Sequence, residues 1–91
     1  MYIQTHGIRF EDAARVFDDP DCLIRFDCID ELGEPRWHAL GSVPLATGAR
    51  TVLLVVHVYR ENRHGEEIIR IISARAAQTS DVRRYQEQAP E

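Results

Sequence analysis

Hydrophobic side chains recur with a helical period at the two ends of the chain and with a strand-like period between them. Near the N-terminus, the apolar side chains of the helical pattern are Ile8, Phe10, Ala13, Ala14 and Phe17. Acidic residues stand in the first turn and Pro20 follows the last, so the pattern predicts a short amphipathic helix over roughly residues 9–18. A second helix is predicted over residues 79–88, with Thr79 or Ser80 as its N-cap.

Four segments between the helices have the alternation and the β-branched residues of strands. They are residues 22–30, 35–43, 50–60 and 66–74. The connections are rich in turn residues and as short as hairpin loops, which makes successive strands antiparallel. The sequence therefore predicts one α+β domain over residues 1–91, in which a four-stranded antiparallel meander sheet carries an N-terminal and a C-terminal helix.

Length, composition and cysteine spacing indicate a globular protein with reduced cysteines. A chain of 91 residues that is 44% hydrophobic suits a globular domain rather than a disordered tail. No apolar run is long enough to span a membrane and the N-terminus lacks a secretory signal pattern, so a cytoplasmic location is expected. Cys22 and Cys28 are predicted to point to the same face of one strand, too far apart to form a disulfide, and are therefore expected to be reduced.

Charge is unevenly distributed along the chain. Residues 1–34 contain nine acids and three arginines, a net charge of −6, whereas residues 35–91 contain eight arginines and six acids, a net charge of +2. Every cationic side chain is an arginine, which suits bidentate contacts with phosphate, although a GC-rich genome would also produce a chain without lysine. The second part of the chain is thus the better candidate for binding an anion.

Two arginines interrupt the apolar fourth strand. Arg70 stands among four isoleucines, where a charge needs either a partner or a function, and Arg75 follows near the end of the strand. In a regular strand Arg70 points to one face, and Ser73 and Arg75 to the other, unless twist turns Arg75 back. For Arg70 the alternatives are an ion pair with an acid of the first helix, such as Glu11, and a phosphate-binding role; for Arg75 they are a solvated charge and a functional one.

Histidines offer no metal site but do offer candidates for proton transfer. They fall on separate predicted elements without a close pair of ligands, so neither a metal nor a cofactor is expected. His57 and Tyr59 share one face of the third strand, where they are either packed core residues or a neighbouring base and hydrogen-bond donor. Arg36 and His38 share a face of the second strand.

Four stretches resemble the BrnT family of bacterial toxins, and together they cover about four-fifths of the chain. They are "HGIRFEDAARVFDDP" (residues 6–20), "PRWHALG" (35–41), "LLVVHVYRE" (53–61) and "IRIISARAAQTSDVRRY" (69–85). The resemblance implies a RelE-like fold, metal-independent endoribonuclease activity that arrests growth, and neutralisation by a ribbon-helix-helix antitoxin of the BrnA type. Compared with that family, the usual first strand and helix are expected to be absent, which would expose a neighbouring strand and favour a homodimer or tight antitoxin binding, or reduce the activity.

The resemblance implies that arginines and other polar side chains on the sheet carry out the chemistry, and together with the predicted strands and helix it gives two groups of candidate site residues. Those expected to act in catalysis are Arg70, Arg75, His57 and Tyr59. Those expected to bind RNA are Arg36, His38, Arg83 and Arg84. The arginines of the first group would stabilise the charged transition state, while the imidazole or the phenol would assist proton transfer. The alternative function is a non-catalytic module that only binds an antitoxin or associates with itself.

Overall fold

The described part of the protein is an open four-stranded sheet with one helix before it and one after it. A computed structural model describes residues 7–88, so that residues 1–6, with His6 of the first predicted motif, and residues 89–91 lie outside the description. The elements are α1 (Phe10–Arg15), a 3-10 turn (Val16–Asp18), β1 (Leu23–Ile29), β2 (Pro35–Pro44), β3 (Arg50–Glu61), β4 (Glu67–Ala76) and α2 (Thr79–Gln86). The strands follow the order β1-β2-β3-β4 and all pair antiparallel, which confirms the predicted α+β meander.

Two of the hairpins close with the same local chemistry. Asp30 begins the β1–β2 turn and Asn62 begins the β3–β4 turn, and each side-chain Oδ1 accepts hydrogen bonds from backbone N–H groups two and four residues later. Gly33 and Gly65 stand at the matching later position with φ of 81° and 79°, a conformation that costs glycine little. Because both turns are specified by local residues, the strands meet in a defined register.

The hydrophobic core lies between α1 and one side of the sheet, which we call the first face. Its buried members are Ala13, Val16, Ala39, Val43, Leu53, Val55, Ile71 and Ala74. Strand alternation places every second side chain of β2 and β3 on this face. Each fully buried valine or leucine there stabilises the fold by about 1.5–3 kcal/mol.

The opposite side of the sheet, the second face, is covered at one end. Leu40 and Leu54 project from it and are only 2% and 3% exposed. They lie where α2 contacts β2 and where Arg75 of the same face pairs with Asp81 of that helix. The helices α1 and α2 therefore lie on opposite faces of the sheet, and α2 leaves the other end of the second face open.

Asp81 stabilises the start of α2. Its Oδ2 accepts a hydrogen bond of 3.0 Å from the backbone N–H of Gln78, the N-cap residue. The prediction of Thr79 or Ser80 as N-cap is wrong, because β4 runs on to Ala76 and the helix then begins at Thr79 itself. The carboxylate of Asp81 in the first turn also interacts favourably with the helix dipole.

Asp19 joins the two helices at the edge of β2. Its Oδ2 accepts a hydrogen bond of 2.8 Å from the backbone N–H of Ser42, beyond the point where β1 stops pairing with β2, and another from the hydroxyl of Tyr85. Burial raises the pKa of Asp19, but these hydrogen bonds outweigh it and leave that pKa below its ordinary value. Burial and the bond to Asp19 raise the pKa of Tyr85 to about 12.

The close contact between Gly41 and the 3-10 turn gives the first testable prediction. A Cβ at Gly41 would lie 2.7 Å from the carbonyl oxygen of Val16 and 2.8 Å from its Cγ1. We expect Gly41→Ala to lower the free energy of unfolding in urea by about 1–3 kcal/mol, because the turn must move away from the sheet. In a double-mutant cycle, the same change should cost less, though not nothing, in a Val16→Ala background, where the methyl contact is gone and the carbonyl contact stays. Simple additivity of the two changes would contradict this packing.

Candidate functional site

A β-bulge in β4 brings the two predicted arginines to one side of the sheet. Val56 of β3 pairs with Ser73 and the next residue, His57, pairs with Ile71, so Ile72 has no partner. The extra residue reverses the alternation, and Ser73 and Arg75 therefore point to the second face together with Arg70. The expectation that a regular strand separates them is wrong because the strand is not regular.

The second face presents its polar side chains in rows that run across the strands. One row contains Arg36 and Arg70, with Val58 between them, and all three line a cavity of about 200 Å³. The next row contains His38, Val56 and Ser73, and the third ends in Arg75. Arg70 and Arg75 pair with β3 residues that are four positions apart, Val58 and Leu54. At ~3.3 Å per residue, their α-carbons are therefore about 13 Å apart, and the row of His38 and Ser73 lies between them.

Arg70 is exposed and makes no ion pair with any residue in the range 7–88. Of the two alternatives for Arg70, the ion pair with an acid of the first helix such as Glu11 is wrong, because α1 packs on the first face and Arg70 points to the second. Arg70 lines the same cavity as the apolar side chains of Val58 and Ile72. It is therefore available to an anionic ligand.

Acids of the β1–β2 hairpin hold the arginines beside Arg70. Arg36 contacts Asp30 at 3.4 Å, and Arg60 donates two hydrogen bonds of 3.1 and 3.0 Å to the carboxylate of Glu34. Hydrogen bonds from the Glu34 backbone and then from Leu32 and Arg36 outweigh partial desolvation and keep the pKa of Asp30 below its ordinary value. These ion pairs fix the positions of Arg36 and Arg60, and the carboxylates neutralise part of the arginines' positive charge.

Arg75 and the arginines of α2 meet at Asp81. Arg75 Nη1 contacts Asp81 Oδ2 at 3.3 Å and the Ala76 carbonyl at 3.2 Å, and Arg84 approaches the other carboxylate oxygen at 3.8 Å. Arg83 is exposed on the same helix. Both contacts of Arg75 use one nitrogen, so the rest of its planar donor group remains free.

A second bulge places a carboxylate beside His38. Phe26 pairs with Trp37 and Cys28 with Arg36, which leaves Asp27 without a partner on β2. Asp27 Oδ2 lies 3.2 Å from His38 Nε2, and both side chains are about one-third exposed. Sequence reasoning found His38 but missed Asp27, because strand alternation carries no sign of a bulge.

The same bulge separates the two cysteines. Cys22 precedes β1 and packs against the first-face core, whereas Cys28 is opposite Arg36 on the second face, so the expected common face is wrong. Both are free thiols, as expected. Burial and the nearby charge of Asp19 raise the pKa of Cys22 to about 11, which leaves that thiol protonated at neutral pH.

His57 and Tyr59 lie on the first face, across the sheet from Arg70 and Arg75. The His57 ring is fully buried and makes edge contacts with Phe17 and Tyr59, each with ring centroids 5.0 Å apart. Neither ring nitrogen has a hydrogen-bond partner among the described residues. The structure therefore does not bring these two side chains together with the arginines, and their catalytic role stays a prediction.

The second face is suited to a phosphate-containing chain. Guanidinium groups, three of them paired with carboxylates, surround apolar Val56 and Val58, and an imidazole and a hydroxyl lie between them. Within residues 7–88, no three His, Cys, Asp or Glu side chains stand close enough together to hold a metal ion. Neither of the helices in that range is long and apolar enough to cross a membrane.

Comparison with known protein families gives a match over most of the chain. Residues 2–81 match the family described as "Ribonuclease toxin, BrnT, of type II toxin-antitoxin system". No curated protein matches the chain significantly, and no solved structure does. The match confirms the family resemblance found in the sequence.

The burial of His57 predicts a loss of stability in weak acid. Burial lowers the pKa of His57 below its ordinary value of about 6.5. The unfolded chain therefore takes up a proton near pH 6.5 that the folded chain does not, and stability present above that pH is lost as the pH falls below it. Between pH 7.5 and 5.5, we expect the free energy of unfolding of the wild type to fall by about 1 kcal/mol more than that of His57→Leu.

The matched control for this measurement is His64→Leu, which removes an exposed histidine from the β3–β4 turn. This variant should keep the pH dependence of the wild type. Equal pH dependence in the wild type and in His57→Leu would show that folding does not lower the pKa of His57.

Proposed function

The chain belongs to the BrnT family of ribonuclease toxins of type II toxin–antitoxin systems, and we propose that it cleaves RNA, without a metal, on the second face of its sheet. The observation that carries this proposal is the bulge at Ile72, which gathers Arg70 and Arg75 around the row of His38 and Ser73. In the cell this endoribonuclease would act in the cytoplasm and arrest growth.

The guanidinium donors that this face leaves available, above all those of Arg70, support cleavage by attack of the ribose 2′-hydroxyl. The transition state carries extra negative charge on the phosphoryl oxygens, which fixed guanidinium groups stabilise strongly in a partly dehydrated site. Arg70 has free donors on one side of the central row, and Arg75 has free donors on the other. Two such groups supply the charge stabilisation for which other nucleases use a metal.

The remaining cations provide a track for the RNA backbone. Arg36 lies in the same row as Arg70, while Arg83 and Arg84 continue the positive surface beyond Arg75 onto α2. Contacts with phosphate of this kind bind RNA without regard to sequence and weaken as salt rises. His57 and Tyr59 stay outside the proposed site, because they lie on the other side of the sheet.

Neutralisation follows from the same surface. We infer that a ribbon-helix-helix antitoxin of the BrnA type covers the second face and places acidic or backbone acceptors against Arg70, which has no internal ion pair within residues 7–88. An antitoxin held in this way would exclude RNA by occupying its phosphate sites.

One feature favours the alternative of a non-catalytic interaction module. The edge strand β1 exposes large apolar side chains, among them Phe26 and Ile29 at 54% and 56%. An edge strand with such side chains can pair with another chain, including a second copy of this protein. In this alternative the protein binds RNA weakly or not at all and is inactive as a nuclease.

The catalytic proposal predicts a large loss of activity on removal of either arginine. With a 5′-labelled RNA in EDTA, the wild type should produce fragments with 2′,3′-cyclic phosphate ends, and Arg70→Ala and Arg75→Ala should each lower kcat by about 100-fold or more. The matched control, Arg63→Ala, removes an exposed arginine of the β3–β4 turn and should leave the rate unchanged. A folded wild type that neither cleaves RNA nor arrests growth would favour the interaction module, and cleavage only after metal addition would remove metal independence.

The antitoxin proposal predicts a charge-dependent complex. We expect a ribbon-helix-helix protein to be encoded beside this gene and to bind the wild type tightly. Arg70→Glu should raise the Kd of that complex at least tenfold in calorimetry, because a repulsive contact replaces an attractive one. Arg63→Glu makes the same charge change away from the second face and should leave the Kd unchanged. Equal binding by both variants would place the antitoxin elsewhere.

A further inference from the structure

His38 and Asp27 place a carboxylate at contact distance from a partly exposed imidazole. We propose that His38 is the general base of this protein, accepting the proton of the attacking 2′-hydroxyl, and that Asp27 is its positioning residue; the inference rests on the proposed ribonuclease function. The 3.2 Å contact joins Asp27 Oδ2 to His38 Nε2. Because Asp27 takes that nitrogen, Nδ1 is the one left for a substrate.

Both bulges serve this arrangement. The bulge at Asp27 frees that residue from strand pairing and turns its carboxylate towards His38, while the bulge at Ile72 puts Ser73 in the same row as His38. Bulges frequently re-aim side chains next to active sites. The two bulges lie on opposite edge strands and both adjoin the row of Trp37 and His57, which separates the His38 row from the row of Arg36 and Arg70. They therefore set which polar side chains stand next to one another on the second face.

The position of His38 suits a substrate held by the arginines. Its row lies between the row of Arg70 and the row of Arg75, and Val56 separates it from Ser73 across the sheet. A phosphate resting on Val56 and bound from both sides by guanidinium groups would bring the adjacent ribose to the imidazole. The side chain of His38 is 30% exposed, so that RNA can reach it, in contrast to the buried ring of His57.

The proton and bond changes balance without a further reactant. His38 Nδ1 takes the proton of the 2′-hydroxyl while the 2′-oxygen forms a bond to phosphorus. The bond from phosphorus to the 5′-oxygen breaks, and the leaving oxygen takes a proton from water. The products are a 2′,3′-cyclic phosphate and a 5′-hydroxyl, and the imidazolium then returns its proton to solvent.

Charged groups of both signs share the second face with His38. Arg25 faces it from β1, Arg36 lies on its own strand and pairs with Asp30, and Arg70 and Arg75 project from β4, while β3 contributes only apolar Val56. Arg75 pairs with Asp81 of α2. Asp27 is the carboxylate at contact distance from the imidazole, the position from which the aspartate of a catalytic triad stabilises the imidazolium.

The test is the pH dependence of RNA cleavage. For the wild type, kcat/KM should fall on the acid side as His38 is protonated. His38→Gln keeps a donor for Asp27 but cannot accept the proton, and should lower kcat by about 100-fold or more with little change in KM. Asp27→Asn should move the acid limb to lower pH and lower kcat about tenfold, because the amide no longer stabilises the imidazolium. His64→Gln, a histidine in the β3–β4 turn, is the matched control and should behave like the wild type.

The outcomes separate this inference from the ribonuclease function itself. If the wild type does not cleave RNA, the proposed function fails and this inference with it. If the wild type cleaves RNA and a folded His38→Gln cleaves it equally fast with the same acid limb, only the inference is overturned.

Nuclear magnetic resonance of the wild type gives a second measurement that does not depend on how His38→Gln folds. The His38 ring is expected to carry its proton on Nε2, and its Nδ1 signal should shift on addition of an RNA in which a methylene group replaces the leaving 5′-oxygen. Such an RNA keeps the 2′-hydroxyl that donates to Nδ1 and cannot be cleaved at that position. An unshifted Nδ1 signal in the presence of saturating RNA would overturn the assignment of His38 as the base.

Discussion

The core and the second face both depend on the bulge in β4, where Ile72 has no partner on β3. Before Ile72, Ile71 points to the core and Arg70 to the second face. After Ile72, Ala74 points to the core and Arg75 to the second face. A regular strand of the same residues would bury one arginine under α1, at a desolvation cost that a buried ion pair seldom recovers. The bulge therefore satisfies packing and charge together.

Each strand of this small sheet serves two purposes, because its faces are divided between packing and chemistry. The first face buries apolar side chains against α1, and the rigidity of that core fixes the backbone positions from which the second face projects its polar groups. Asp19 adds to this rigidity by tying the end of the 3-10 turn, β2 and Tyr85 of α2 together. A chain of this size can thus hold an ordered polar surface without a second layer of supporting residues.

Local signals explain why the architecture was predictable. Apolar alternation located all four strands within a few residues, and the turn residues at Asp30 and Asn62 specify hairpins by hydrogen bonds to their own neighbourhood. The chemistry of the turns makes the strands antiparallel, from which the order of the sheet follows. The errors were of another kind: the cap of α2, the common face of Cys22 and Cys28, and the separation of Arg70 from Arg75 all depend on strand register or length.

By itself, the sequence determined the α+β class, the order of the elements and the BrnT family, and it singled out the candidate arginines. All of these follow from local residue patterns or from the spacing of motifs. Only the tertiary structure decided which side chains share a face. Pairing between strands selected Ile72 and Asp27 as the unpaired residues, and one unpaired residue reverses the facing of everything beyond it. That choice belongs to the packing of the whole sheet against α1 and α2, and no short stretch of sequence contains it.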